Sequence, residues 1–333
     1  MKILKVQKHD NSIEINILGL TIKHKYKKEK DTGPINHISN NRVLNYFIAQ
    51  TKNDELKKWY MRQLFYNNVH YFPNFDNPKT FNEKIHWMKL YYQNPLITKC
   101  CDKFAVKEYV SELLGKEYVV PTIAVWDNVN DIDFDSLPDK FVLKVNWASG
   151  YNIIVKDKSK LDINKTKAKI SSWMQPFNNS YFVNFNWGYK NMKPVIYAEE
   201  YIEQMDGQVY DYKFFCYDGE PKNLFVATDR FQNKSFNFYN IDWKKLPFTR
   251  GAPNINYKIS KPKNFDKMVE LAKELSKPFP FVRVDFYEIG DKVMLGEMTF
   301  YPGGGLEPFT PEEWDYKMGE YITIPEKIIE EEA

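Results

Sequence analysis

The stretch that most constrains this chain is residues 284–305, VDFYEIGDKVMLGEMTFYPGGG. It reads as two apolar strands joined at Gly290-Asp291, and side chains along a strand alternate between faces. Val282, Val284 and Phe286 therefore share one face, and Arg283 and Asp285 share the other. On the return strand Met294, Met298 and Phe300 group together, leaving Glu297 and Thr299 with Leu295. If the apolar sets meet in a core, Arg283, Asp285, Glu297 and Thr299 meet on the opposite face. A strict two-residue turn pairs residues of opposite parity, so this grouping predicts a three-residue loop or a bulge near the turn.

A charged face beside an apolar core asks for a ligand. Asp285 and Glu297 suit Mg²⁺, which takes a few carboxylates and completes its shell with phosphate oxygens and water. Two acidic residues on one strand face are also met as a solvated surface. The following TFYPGGG favours a binding loop, because three consecutive glycines outside a linker imply close backbone approach. Further upstream, Lys144 lies inside the apolar strand of KFVLKVNWASGYNIIV (residues 140–155). A lysine there is costly unless it meets an anion, and the adjoining small-residue loop offers backbone N–H groups to phosphate oxygens. The alternative is an edge-strand lysine that reaches water. No GxxxxGK[ST] pattern occurs, which excludes a Walker phosphate loop.

Composition closes several other routes. The 333 residues are enough for two or three structural units around a large core. With 43% hydrophobic and 27% charged residues the chain has the balance of a soluble protein. Aromatic residues, at 17%, offer faces for stacking rings or sugars, although an AT-rich coding sequence produces the same excess. A formal charge of +3 without a basic block argues against a nucleic-acid partner. The three cysteines lack metal-ligand spacing and fit a reduced, cytoplasmic setting. The start lacks the apolar core of a signal peptide, and no run approaches the ~18 apolar residues of a membrane span. No histidine lies beyond His86, so hydrolase triads and histidine-rich zinc sites are set aside.

Along the chain, alternation over residues 1–25 predicts a small β-hairpin with an HDNS turn, followed by a linker. Residues 41–68 have helical spacing. Thr80 caps a helix carrying Phe81, Ile85, Met88 and Leu90, and Asp102 caps another with a stripe of Val106, Val110 and Leu113, stopped by Gly115. Residues 158–174 read as an amphipathic helix, and residues 261–279 as another before the charged hairpin. Strands cluster at 119–155 and 195–300, with Asp218-Gly219 a hairpin turn. DIDFD, residues 131–135, contains the DxD pattern of metal-dependent glycosyltransferases, but alternation turns Ile132 and Phe134 inward and makes the aspartates a solvated turn.

Taken in order, DKFAVKEYV, VPTI, FVLKVNWASGYNIIV, YAEEYIE, DYKFFCYDGEPK and RVDFYEIGDKVMLGEMTFYPGG resemble an ATP-grasp enzyme, and more narrowly the TupA-like branch of surface-polysaccharide gene clusters. The likeness covers residues 75–310. It implies an α+β ATP-grasp fold, two α+β lobes sandwiching the nucleotide, preceded by an N-terminal hairpin and helical extension. The corresponding segments are 1–35 (hairpin and linker), 36–118 (helical region), 119–198 (lid), 199–310 (C-terminal subdomain with the metal site) and 311–333 (tail). The resemblance implies ATP and Mg²⁺ as cofactors. Lys103 and Lys144 would hold phosphates, with Ala148, Ser149 and Gly150 closing over them. Glu199, Glu200 and Ile202 would read adenine, and Asp211 would be a ribose-side or structural residue. The hairpin is similar to R-x-D followed by E-x-N-x-x-P-G of D-alanine ligases: Arg283, Asp285, Glu297 and Pro302-Gly303 match, and Thr299 replaces the usual Asn. Asp285, Glu297 and Thr299 would then be the metal ligands, Arg283 would steady the transferred phosphoryl group, and Lys213 and Arg230 would face the acyl phosphate or substrate.

The activity so implied is an ATP-dependent carboxylate–amine ligase of capsule, lipopolysaccharide or teichuronopeptide biosynthesis, working through an acyl phosphate. Its partners would be a uronic acid sugar, free or nucleotide- or lipid-linked, and an amine or amino acid, with peripheral contact to membrane biosynthetic machinery. Trp173, Tyr181 and Trp187 would line the sugar side or else belong to the lid core. A glycosyltransferase, a sugar phosphotransferase and a non-catalytic nucleotide-binding module are the rival readings.

Overall fold

The structure, a computed structural model, describes residues 4–9, 12–17, 20–25, 42–51, 53–202, 210–228, 235–255 and 257–329. Contacts divide the chain into two units, Met1–Pro73 and Asn74–Ala333.

The first unit holds β1 (Leu4–His9), β2 (Ser12–Ile17) and β3 (Leu20–Lys25), an antiparallel meander in which His9 faces Ser12 and Ile17 faces Leu20. The expected hairpin thus gains a third strand; the linker expected after it lies outside the described residues. The helical stretch of residues 41–68 is two helices, α1 (Arg42–Ala49) and α2 (Asp54–Val69). Asn53 ends the continuity by capping α2: its side chain accepts from Leu56 N at 3.0 Å. Asn45 on α1 accepts from the buried Tyr60 hydroxyl on α2 at 2.7 Å.

The second unit begins with α3 (Phe81–Tyr91), entered through a capping box. Thr80 Oγ1 accepts from Glu83 N at 3.1 Å, and Glu83 accepts from the Asn74, Lys79 and Thr80 amides at 2.8, 2.8 and 3.0 Å. Phe81, Ile85 and Met88 are fully buried along one stripe. Next come α4 (Pro95–Cys101), which sequence spacing does not announce, and α5 (Val106–Leu113). Val106 and Val110 are buried as expected, but Leu113 is 47% exposed, so the stripe stops one turn early.

Two antiparallel sheets follow. The first, ordered β4-β7-β5-β6, consists of β4 (Thr122–Trp126), β5 (Phe141–Val145), β6 (Asn152–Val155) and β7 (Ile196–Glu200). Helices α6 (Ile163–Trp173) and α7 (Tyr181–Asn184) lie in sequence between β6 and β7. Because β5 is interior, Lys144 is no edge residue. The second sheet draws on β8 (Asp211–Tyr217), β9 (Glu220–Thr228) and β10 (Ser235–Asn240). A short strand β11 (Thr249–Arg250) and helix α8 (Phe265–Ser276) precede its last two strands, β12 (Phe281–Ile289) and β13 (Lys292–Thr299). Its order is β10-β9-β8-β12-β13. Asp218-Gly219 joins β8 to β9 with φ of 47° and 79°, the positive pair of a type I′ hairpin turn.

Helix α8 covers one face of this sheet through Phe265, Met268, Leu271 and Leu275, with Phe265 5.8 Å from the Phe214 ring. On the other face, Phe81 of α3 meets Phe281 at 5.0 Å edge to face, so α3 closes one end and leaves the rest of that face for the charged residues. Finally, β14 (Phe309–Thr310) pairs with β11, and α9 (Glu313–Glu320), inside the segment read as a tail, packs on α3. Asp315 of α9 accepts from Asn82 N and Nδ2, both at 2.9 Å.

The β12–β13 hairpin answers its own parity problem. Ile289 faces Lys292, so the turn is the two-residue Gly290-Asp291, and the register then shifts at a bulge containing Gly296. Beyond it Asp285 faces Glu297, Val284 faces Met298 and Arg283 faces Thr299. Directly opposed residues share a face, so the expected charged grouping forms. On the turn side of the bulge the assignment reverses. Phe286 faces Leu295 and Tyr287 faces Met294, placing Leu295 on the core face and Met294 on the charged one.

Candidate active site

Three strands deliver the charges in one row. Register sets Lys213 of β8 opposite Asp285 of β12, and Asp285 opposite Glu297 of β13. Arg283, two residues before Asp285 on the same face, donates to both Asp285 oxygens at 2.7 Å, to Glu297 Oε1 at 2.8 Å and to Thr299 Oγ1 at 2.9 Å. Lys213 bridges Asp285 and Asp211, the latter at 2.9 Å. Lys103, from the segment between α4 and α5, reaches Glu297 Oε2. Three cations thus compensate three carboxylates, which lets Asp285 be fully buried. Burial pushes the Asp285 carboxyl upward, against the pull of Arg283 and Lys213. Burial also acts to raise Glu297, but the summed charge of Lys103, Lys213 and Arg283 overcomes it and holds that carboxyl well below the usual range.

The first sheet supplies the facing wall. Lys144 on β5 sits opposite Asn152 of β6, and the turn between them carries Ala148, Ser149 and Gly150, the last two exposed and Gly150 at φ 77°. Tyr151 stacks on Trp173 at 5.0 Å and 3°, and Trp147 Nε1 donates to Trp173 O at 3.1 Å, anchoring the turn to α6. Behind Lys144, the buried Glu199 accepts from both Lys144 and Lys107. Burial lowers the Lys107 ammonium, while Glu199 pulls the other way. Asp102 is the hinge between the walls: Oδ1 accepts from the Phe104 and Ala105 amides at 2.8 and 3.0 Å, and Oδ2 accepts from Asn146 Nδ2 at 2.7 Å. It thereby fixes the neighbouring Lys103 against the β5 turn.

Between the sheets lies a cleft of about 550 Å³. Of the residues nominated from sequence, Lys103, Lys144, Ser149, Gly150, Asp211, Lys213, Arg283 and Glu297 line it. Asp285 and Thr299 sit just beneath, bonded to Arg283. Glu199 stands behind Lys144, Glu200 is exposed and Ile202 half-buried, and none of these three is in the lining. Arg230 lies outside the described residues. Tyr181 and Trp187 are buried, and neither lines this cleft. The aspartates of DIDFD are exposed over buried Ile132 and Phe134, with Asp133 Oδ1 accepting from Asp135 N at 3.1 Å. Sequence reasoning missed a further part of the cleft lining: Arg250 and Glu307, paired at 2.6 Å, and the Phe225, Phe236 and Phe238 rings. A single arginine in TRGAP carries no periodicity that would reveal it.

Among the described residues no cluster of three His, Cys, Asp or Glu forms a metal cage. Asp285 and Glu297 nevertheless fit a hard divalent cation that also takes phosphate oxygens and water, because register sets the two carboxylates opposite each other and Glu297 reaches the cleft 26% exposed. Thr299 Oγ1 lies 3.2 Å from Glu297 Oε1 and is a third oxygen of the same set.

No curated protein matches the chain. Among solved structures it is similar to the D-alanine–D-alanine ligase from Bacillus anthracis, with 17% identity and a TM-score of 0.38 over 62% of this chain and 58% of that one. The corresponding ligase from Helicobacter pylori gives 16% identity and a TM-score of 0.36 over 67% and 61%. The N5-carboxyaminoimidazole synthase from Aspergillus clavatus gives 14% and 0.35 over 64% and 46%. The chain thus spans less than two thirds of the length of each. The model of the TupA-like ATP-grasp family matches residues 83–323, from α3 to just beyond α9 and including both sheets and the cleft between them. On that match, the chain belongs to the TupA-like ATP-grasp family.

Proposed function

We propose that this ATP-grasp enzyme joins a carboxylate to an amine at the expense of ATP, with a hexuronic acid as acyl donor, in the cytoplasmic stage of bacterial surface-polysaccharide biosynthesis. The observation that carries the reading is the convergence of Arg283, Lys213 and Lys103 with Asp285 and Glu297 on one wall of a cleft whose other wall presents Lys144 and the Ser149-Gly150 turn. Such a site positions and neutralises a polyphosphate and needs no nucleophilic side chain.

In this reading Lys144 and Lys103 hold the phosphates, and the Ser149-Gly150 turn covers them. Glu199, Glu200 and Ile202 belong to the adenine side, with Glu199 orienting Lys144 from behind. Asp211 orients Lys213. Asp285, Glu297 and Thr299 would hold Mg²⁺, which when bound supplies positive charge to phosphate oxygens. The donor carboxylate attacks the γ-phosphate, ADP leaves and an acyl phosphate forms; Arg283 steadies the transferred phosphoryl group, with Lys213 beside it and Arg230 on the substrate side. The amine then displaces phosphate to give the amide. The five segments named from sequence serve as the working division of the chain, with 119–198 as the lid.

A sugar-nucleotide glycosyltransferase is disfavoured because the DIDFD carboxylates cap a surface turn. No helix among the described residues is long and apolar enough to cross a membrane, and any contact with membrane machinery would be peripheral. The test is turnover of MgATP by the purified protein with a panel of hexuronic acids and amino acids, reading ADP, phosphate and amide together. Equal amounts of the three are expected. Turnover that needs a UDP-sugar and ignores ATP would overturn the reading, and phosphorylated sugar without free phosphate would make the enzyme a phosphotransferase.

A further inference from the structure

The Arg250–Glu307 pair of the cleft lining is built, and the phosphate-holding residues leave it without a task. Arg250 is buried and cannot serve as a mobile surface cation. Its guanidinium lies 5.3 Å from the Phe81 and Phe309 rings, and its Nη2 donates to Pro302 O at 3.0 Å. Its Nη1 donates to Glu307 Oε2 at 2.6 Å and so fixes that carboxylate in place. Glu307 lines the cleft with 37% of its side chain exposed, and Arg250 is the partner its carboxylate finds among the described residues. Two glycines leave room for it. A Cβ on Gly251 would come within 2.9 Å of the Glu307 carboxylate carbon, and one on Gly303 closer still; both glycines have positive φ, 74° and 58°. The middle of the PGGG loop is therefore shaped around this carboxylate.

The cleft cations Lys103, Lys213 and Arg283 are compensated by Asp211, Asp285 and Glu297 and serve the phosphate side, whereas Glu307, lining the same cleft, has Arg250 as its partner. A cleft-lining carboxylate held by one arginine and half-open to the cleft keeps acceptor capacity for an ammonium donor. We infer that Glu307, held by Arg250 and seated between Gly251 and Gly303, is the docking point for the amine co-substrate in its ammonium form. The inference rests on the ligase reading and adds the acceptor class: a cationic amine. As the acceptor nitrogen forms its bond to the acyl carbon and the carbon–oxygen bond to phosphate breaks, the ammonium loses two protons. One passes to Glu307 and the other leaves with phosphate as HPO₄²⁻.

The test compares two nucleophiles in wild type, Glu307→Gln and Glu307→Asp. Hydroxylamine, neutral at pH 7.5, traps an acyl phosphate as hydroxamate; a mixture of amino acids supplies the ammonium acceptor; glucuronate and galacturonate serve as donors with MgATP. Glu307→Gln is expected to lower amide formation at least tenfold more than hydroxamate formation, through a raised KM for the amino acid, with Glu307→Asp in between. ADP binding in each variant monitors the fold. Equal losses with both nucleophiles, or an unchanged KM for the amino acid, would overturn the docking role while leaving the ligase reading standing. Absence of hydroxamate from the wild type with every donor would overturn the ligase reading and the inference with it.

Discussion

At the residue scale the site is a balance of charges taken out of water, and its two acids are not equivalent. Glu297 reaches the cleft, whereas Asp285 is buried under Arg283 and Lys213. Glu297→Gln is expected to reduce turnover by about 10²- to 10³-fold and to lower the melting temperature less than Asp285→Asn does, measured by steady-state rates and calorimetry. Asp285→Asn is expected to reduce turnover as well and in addition to cost up to about 3–5 kcal/mol of stability, because it removes a buried charge shared by Arg283 and Lys213 and leaves each of these half-buried cations with fewer partners; denaturation in urea measures it. Lys144→Met weakens nucleotide binding by about 1.5–3 kcal/mol, the worth of a charged hydrogen bond, read by titration calorimetry. Lys89 makes a prediction of a different kind. Burial pushes its ammonium down to about 7, and it donates to Asn184 O and Gly304 O beneath the glycine loop. The unfolded chain binds that proton more tightly, so stability rises as pH climbs from about 7 toward the ordinary lysine value, by no more than about 1.4 kcal/mol per pH unit. Urea unfolding of Lys89→Met at pH 7 and 8.5 is expected to lack this rise. The grouping of Arg283, Asp285, Glu297 and Thr299 was legible in the sequence because strand alternation sorts acids and bases without knowledge of the fold, whereas Lys103 and Lys213 were named through the family resemblance alone. Arg250, Glu307 and the bond from Asp102 to Asn146 were not legible, because they come from contacts between distant segments.

At the scale of elements, what was readable is what local chemistry decides. Thr80 and Glu83 announce α3, and Asp218-Gly219 announces a hairpin, since caps and positive-φ turns are set within four residues. The break between α1 and α2 was hidden inside one helical period, and only the Asn53 cap marks it. A bulge was required by parity, but alternation could not say that Gly296 bears it, and Met294 and Leu295 exchanged faces as a result. The α3 cap itself is testable. Thr80→Ala removes one acceptor and is expected to cost about 1 kcal/mol. Glu83→Ala deprives three backbone amides of their partner and is expected to cost more. The reverse order of the two urea midpoints would mean that this carboxylate does not organise the segment before α3.

At the scale of the whole two-sheet unit, the sequence implies a nucleotide-binding fold, and the structure gives it one cleft with opposed walls. The lysine of one sheet and the carboxylates of the other face the same space, with Asp102 and Asn146 tying Lys103 to the turn of the first. Most of the compensating cations lie within hydrogen-bond reach of those carboxylates, so a polyphosphate entering with its metal exchanges partners within a network that is already charged and costs little new desolvation. A crystal structure with a non-hydrolysable ATP analogue and Mg²⁺ tests this most directly. The expected density places the terminal phosphates between Lys144 and Lys103, with the metal on Asp285 and Glu297. A nucleotide bound elsewhere, or phosphates in the cleft with no metal at those two carboxylates, would contradict it.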